Sequence, residues 1–158
     1  MVDMGELARF VRDSHRHGYA AGQGAVTRRE PDRSTTIEHT AGDWTLHDNF
    51  FGGEPYGGRM VVFRRGRPLW MAVFYGWVEG ADDEVTAIYA FLRRALLNAP
   101  EAFPVRGPET FMDGRLEYRN THQGPLERFR GEEAILRDGR PAYVAWYAGG
   151  LVDRRGDA

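Results

Sequence analysis

The 158-residue sequence contains no cysteine, which excludes disulfides, thiolate nucleophiles and cysteine-based zinc sites and suits a reducing compartment. No apolar run approaches the roughly 20 residues a helix needs to cross a bilayer. Met1 to Arg12 is acidic and amphipathic, unlike a basic segment leading into an apolar one. These features predict a cytoplasmic protein with no membrane partner. Charge of one sign is also missing: 21 basic residues against 23 acidic ones leave a net charge of −2. No field gathers a polyanion, so nucleic-acid binding by this chain alone is not expected. No Gly-flanked serine is present, which sets serine-hydrolase chemistry aside.

What remains is an ordinary globular balance, with 42% hydrophobic and 28% charged residues. The length suits one domain over residues 1–158, large enough to bury a core. Aromatic residues are plentiful for this size, with four Trp and seven Tyr. They carry large contact areas and polar handles, as a pocket would need.

Asp3 and Glu6 have the spacing of a capping box, and Leu7, Phe10, Val11 and Ser14 then share a helical face. This predicts a helix over about 4–16, closed by His15, Arg16, His17 and Gly18. Residues 22–36 lack periodicity and read as a loop. Trp44, Leu46, Asp48 and Phe50 alternate with Thr45, His47, Asn49 and Phe51 as in a strand ending at Gly52 and Gly53. Residues 60–65 and 69–78 complete a meander around Gly66 and Arg67. Asp82 and Asp83 offer N-caps to a second helix with a broad apolar face from Val85 to Leu97, which Pro100 stops. Strands are then expected near 115–121, 128–137 and 141–152.

The chain also repeats itself. Residues 58–76 align without a gap on 131–149, an offset of 73, and share Gly58/Gly131, Arg64/Arg137, Gly66/Gly139, Arg67/Arg140, Pro68/Pro141, Ala72/Ala145 and Gly76/Gly149. Apolar pairs such as Val62/Ile135 and Trp70/Tyr143 extend the match, with Tyr56/Phe129 just upstream. Such a repeat predicts an α+β fold of duplicated helix-plus-three-strand units, with halves at about 3–80 and 82–152. They would form a curved antiparallel sheet of about six strands with two helices on one face. Residues 69–78 and 142–151 are apolar in both strand phases, so the other face should also be covered or form a lined hollow.

Phe51-Gly52-Gly53, the Gly66–Gly76 hairpin ending in Phe74-Tyr75-Gly76, Arg106-Gly107-Pro108, Gly131-Glu132-Glu133 and Tyr147-Ala148-Gly149-Gly150 together resemble the bacterial DUF5680 family. The resemblance runs from about Leu7 to Val152. It implies a domain found alone or behind a helix-turn-helix regulator, and brings no activity with it. The family pattern has Gly-Glu-Glu in both halves, whereas the first half here reads Gly58-Arg59-Met60. It also has a Ser-Arg-Pro that Glu30 to Ser34 lack.

Glu132 and Glu133 stand at a strand start, so alternation sends one inward, where desolvation would raise its pKa and fit it for proton transfer. The plainer alternative is an exposed carboxylate or an arginine pair. Tyr56, Tyr75, Trp77, Tyr143, Trp146 and Tyr147 are candidate ring walls of a cleft between the halves, and Arg106 a candidate fork for a carboxylate or phosphate. Core packing and an interhalf salt bridge are the alternatives. His39, His47 and Asp48 come nearest to a metal set, but with no recognised zinc spacing, so neither metal nor cofactor is expected. The leading expectation is a small-molecule-binding module with an aromatic-lined cleft. Its rival is a cofactor-independent hydrolase, isomerase or cyclase using Glu132 or Glu133. A scaffold forming a homodimer through the apolar sheet face is a third reading, and predicts no enclosed cavity.

Overall fold

The computed structural model describes residues 1–155, and of Gln23 the backbone alone. Helix α1 (Met4–Ser14) begins at the expected cap: Asp3 Oδ1 accepts from the amides of Gly5 (2.8 Å) and Glu6 (3.0 Å), satisfying donors that the first turn leaves free. The helix buries Leu7, Ala8, Phe10, Val11 and Ser14. Helix α2 (Val85–Leu96) buries Ile88, Tyr89, Phe91, Leu92, Ala95 and Leu96. Its start differs from the expected one. Asp82 and Asp83 lie in a separate 3-10 turn, Asp82–Glu84, and no side chain caps α2.

The strands are β1 (Thr27–Arg29), β2 (Thr35–Ala41), β3 (Trp44–Gly52), β4 (Tyr56–Arg64), β5 (Arg67–Val78), β6 (Thr110–Asp113), β7 (Leu116–Gln123), β8 (Arg128–Arg137) and β9 (Arg140–Leu151). They form one antiparallel sheet in the order β1-β2-β3-β4-β5-β9-β8-β7-β6. Nine strands replace the six or so expected from the repeat. The additional three are β1, β2 and β6, at the two ends of the order. Thr27–Arg29 is wholly exposed, Thr35–Ala41 is mostly polar, and Thr110–Asp113 is only four residues long. Such segments have no apolar alternation to reveal them. They become strands because β3 and β7 would otherwise leave backbone N–H and C=O groups unpaired along an edge.

The segments that match in sequence also match in register. Tyr56 pairs with Gly76 as Phe129 pairs with Gly149, and the register shifts at Val62/Phe63 in one hairpin and at Ile135/Leu136 in the other. Both hairpins turn through two residues of positive φ, Arg65-Gly66 and Asp138-Gly139, the geometry that suits a twisted two-residue turn. Phe74 and Tyr147, themselves 73 residues apart, face each other across the β5–β9 pairing. A local twofold axis therefore passes between them.

Both helices lie on the same face. Residues of α1 pack with Leu46, Val62, Trp70 and Ala72, and those of α2 with Tyr118, Ile135, Tyr143 and Ala145. The opposite face of the central strands is uncovered, with Val73, Tyr75 and Trp146 exposed at 45%, 49% and 54%.

The β5–β9 seam lets the halves approach closely at Gly149, opposite Ala72. A Cβ there would meet the Met71 carbonyl oxygen, with Ala72 Cα and Phe129 Cζ each at 2.8 Å. Two of these are backbone atoms of the partner strand and cannot swing aside. Gly149→Ala should therefore destabilise the fold by about 2–4 kcal/mol in urea denaturation. A loss within experimental error would show that the seam is not packed this tightly.

Candidate functional site

Glu133 is the most enclosed charged residue described, with 0% exposure. Strand β8 points it to the helix-covered face, next to Asn120 of β7 and Ala145 of β9. One carboxylate oxygen accepts from Arg106 Nη2 and from Tyr143 Oη (2.9 Å). The other accepts from Arg106 Nε (3.0 Å) and Tyr118 Oη (2.6 Å). Every contact comes from a donor, so the arrangement is that of an ionised acceptor. Burial alone would lower the Arg106 pKa, but Glu133 holds it well above the usual value. The Tyr118 and Tyr143 hydroxyls are pushed well up, by burial first and then by the Glu133 charge.

The network reaches across the halves through Tyr56 of β4. Tyr143 directs its proton to Glu133, so the bond between the two tyrosines is donated by Tyr56, whose oxygen accepts from Arg106 Nη2 at 3.5 Å. The Tyr56 ring has room because residue 76 is glycine, where a Cβ would stand 2.9 Å from the ring. Arg106 comes from the connection between α2 and β6, so this cluster fastens that connection to both halves of the sheet.

A cavity of about 760 Å³ opens beside the network. Its floor is the helix-facing side of the first half of the sheet. Its cover comes from the end of α1, the 3-10 turn Tyr19–Gly24, one side of α2 from Val85 to Leu96, and Val105-Arg106. Val11, Ile37, Leu46, Met60 and Phe74 make it largely apolar, while the exposed Thr27, Gly53 and Glu54 mark where it reaches the surface. Tyr89 donates to Glu54, which also accepts from the Val78 amide at 2.8 Å. That pair ties the β3–β4 turn to α2 at the cavity's rim.

Asp48 lies in this cavity at 8% exposure, and its Oδ1 has no hydrogen-bond partner. Among the described residues, Arg93 Nε is the other such side-chain atom. The contrast between the halves explains the orphan. Asp48 pairs with Met60 as Asn120 pairs with Glu133, and Met60 and Glu133 correspond in the repeat. Asn120 is fully engaged: its Oδ1 accepts from Tyr147 Oη at 2.6 Å and its amide donates to the Gly107 carbonyl at 3.0 Å. Phe74 occupies the Tyr147 position in the first half and has no hydroxyl to offer. Burial pushes the Asp48 carboxyl up to about 7, against the opposing pull of Arg106. Nearby His15 holds the Pro104 carbonyl through Nε2 at 2.6 Å, and burial presses its imidazole down to about 4, leaving it neutral at pH 7.

Of the residues singled out in the sequence, Tyr56, Arg106, Glu133, Tyr143 and Tyr147 meet on the covered face. Glu132, Tyr75, Trp77 and Trp146 do not join them. Glu132 pairs with Trp146 and Tyr75 with Trp146 on the uncovered face, where Trp77 lies edge-on to Trp146 at 5.0 Å. Asp48, which the sequence offers only to an incomplete metal set, belongs to this site, as do Tyr118 and Asn120, which no motif marks. The signal for Asp48 was its phase, since it follows Leu46 and precedes Phe50 on the apolar side of the alternation. His39 faces inward and stacks on His17 at 4.1 Å, whereas His47 faces outward and pairs with Glu38 at 2.9 Å. The sheet separates the two rings, and no metal-type cluster of three occurs among the described residues.

Fold and site together define an α+β domain in which one antiparallel sheet and its two covering helices close over a polar-tipped cavity. Residues 48–152 match DUF5680, a domain of unknown function, and the chain belongs to that family. The match takes in Asp48, Arg106 and the whole Glu133 cluster. No curated protein and no solved structure matches the chain. No helix among the described residues is long and apolar enough to cross a membrane.

Two outcomes are expected. Glu133→Gln leaves the buried Arg106 without its counter-charge and should cost about 3–5 kcal/mol in urea denaturation; a near-neutral result would mean the pair is hydrated. Asp48 binds its proton more tightly folded, near 7, than at its ordinary 3.8. Its contribution is therefore present in full below about pH 4 and lost as pH rises through 7. Asp48→Asn should match the wild type at pH 4 and exceed it at pH 8 by up to about 4 kcal/mol. His15 acts oppositely, losing stability as pH falls from 6.5 toward 4, but it is present in both chains and cancels in the comparison. Melting curves at pH 4, 6 and 8 test this, and a difference independent of pH would contradict it.

Proposed function

We propose that this protein is a small-molecule-binding module whose site is the cavity between the first half of the sheet and its helical cover. The observation that carries this reading is the cavity itself: about 760 Å³ of largely apolar space with a few fixed polar groups at its wall. That size and chemistry are those of ligand sites in general. Both halves contribute to it, since Tyr147 and Arg106 stand on the wall with Phe74 and Met60. The shared hairpin registers and turns support descent of the halves from one duplicated unit. Their later divergence, Met60 for Glu and Phe74 for Tyr, accounts for a cavity on the first side and a filled cluster on the second.

Glu133 speaks for binding over catalysis, because four donor contacts from three side chains leave it no freedom to accept and return a proton. A cofactor-independent enzyme remains the second reading on a different residue. Asp48 is unpartnered, faces the cavity and has a pKa of about 7, which suits a general acid or base at neutral pH.

N-phenyl-1-naphthylamine, a neutral dye that brightens in apolar surroundings, tests the binding reading. It should bind the wild type saturably, and Met60→Trp, which fills the cavity from β4, should weaken it by roughly tenfold or more. Failure of the dye to bind, or equal binding by Met60→Trp, would overturn the cavity as the site. Candidate ligands recovered unchanged after incubation support binding, and ligands turned over by the wild type but not by Asp48→Asn support the enzyme.

A further inference from the structure

We infer that the cavity selects amphipathic molecules carrying a protonated amine, and that Asp48 is the group that receives its N–H donors. The inference rests on the cavity reading above and adds the chemical class of the ligand. Its basis is a buried carboxylate oxygen on the cavity wall that the protein leaves without a donor. Arg106, the cation whose field reaches Asp48, is already matched by Glu133 through two guanidinium hydrogen bonds. His15 is neutral, with Nε2 committed to the Pro104 carbonyl. Arg93, also on the wall, lays its guanidinium over the Tyr19 ring at 4.9 Å and leaves its Nε without an acceptor. Among the described residues, Asp48 is thus the one acidic group on the wall with an oxygen that is both buried and without a donor.

A buried unpaired acceptor is costly, and a ligand supplying the missing donor recovers that cost on binding. A hydroxyl offers one neutral donor. An ammonium offers up to three charge-assisted ones, and its charge also balances the carboxylate in a medium of low dielectric. A carboxylate placed at Asp48 would set like charge against like. The apolar walls set by Leu46, Met60 and Phe74 require the rest of the molecule to be hydrocarbon or aromatic. The second half shows what satisfaction looks like: Asn120, in the position equivalent to Asp48, is bonded on both sides. Asp48→Asn therefore copies an amide that the architecture already accommodates, and removes the charge with little change of shape.

The test uses the full chain and three probes with one indole body: tryptamine, tryptophol and indole-3-propionate. Each competes against N-phenyl-1-naphthylamine at pH 8, with folding checked by melting curves. Tryptamine should bind the wild type roughly ten- to a hundredfold more tightly than tryptophol, with indole-3-propionate weakest. In Asp48→Asn the three affinities should fall within about threefold of one another, while the dye still binds. A wild type that binds tryptophol or indole-3-propionate as well as tryptamine overturns the inference. So does an amine preference that survives in Asp48→Asn. If the dye binds and none of the probes displaces it, the amine class fails and the cavity reading stands. If the dye does not bind, both fail.

Discussion

Nine consecutive residue pairs between β5 and β9, from Trp70↔Leu151 to Val78↔Tyr143, hold the two halves in one sheet. Everything at the site follows from this pairing. It sets Phe74 opposite Tyr147 on the covered face and brings Tyr56 of one half within reach of Tyr143 of the other. It also calls for glycine at 76 and 149, where a side chain would meet the Tyr56 ring and the backbone of β5. Were the register to slip by one residue, one strand would turn over relative to the other, and Phe74 and Tyr147 would no longer share the covered face.

On this frame the two halves have taken different chemical courses. In the second half Glu133, Arg106, Tyr118, Tyr143, Asn120 and Tyr147 form a closed polar cluster, each member bonded and all well buried. Such a cluster rigidifies the ground it stands on, because any member removed leaves the others unsatisfied in a low dielectric. In the first half the equivalent positions hold Met60, Trp70, Leu46, Asp48 and Phe74. These side chains carry no hydroxyl, the cavity lies beside them, and one carboxylate oxygen has no partner. A stiff half beside a hollow half is a physically sensible arrangement for recognition, since the cluster also anchors Arg106 on the cavity wall.

Much of the architecture was legible in the chain itself. The cap at Asp3, the apolar face of α2, the three strands of each hairpin region and the 73-residue repeat all express short-range rules of spacing that a linear reading captures. The edge strands were not legible, because segments as short as Thr27–Arg29 and Thr110–Asp113 are recruited by a neighbour's unpaired backbone and have no pattern of their own. Glu133 was identified as a titratable candidate, but its lock with Arg106 joins residues 27 apart in sequence. Asp48 lay on the apolar phase of its strand in plain view. Its importance depends on what is missing around it, and a sequence does not display missing partners.

By itself the sequence determined the helices, the hairpins, their repetition and the polarity of each strand face, because propensity, capping and alternation act over a few neighbouring residues. The tertiary structure alone decided which candidate rings share a face, that Glu133 is neutralised by Arg106 and that Asp48 sits buried on the cavity wall with an oxygen that has no donor. Those outcomes are set by hydrogen bonds and desolvation between strands and connections far apart in the chain, and both depend on where each group stops touching water.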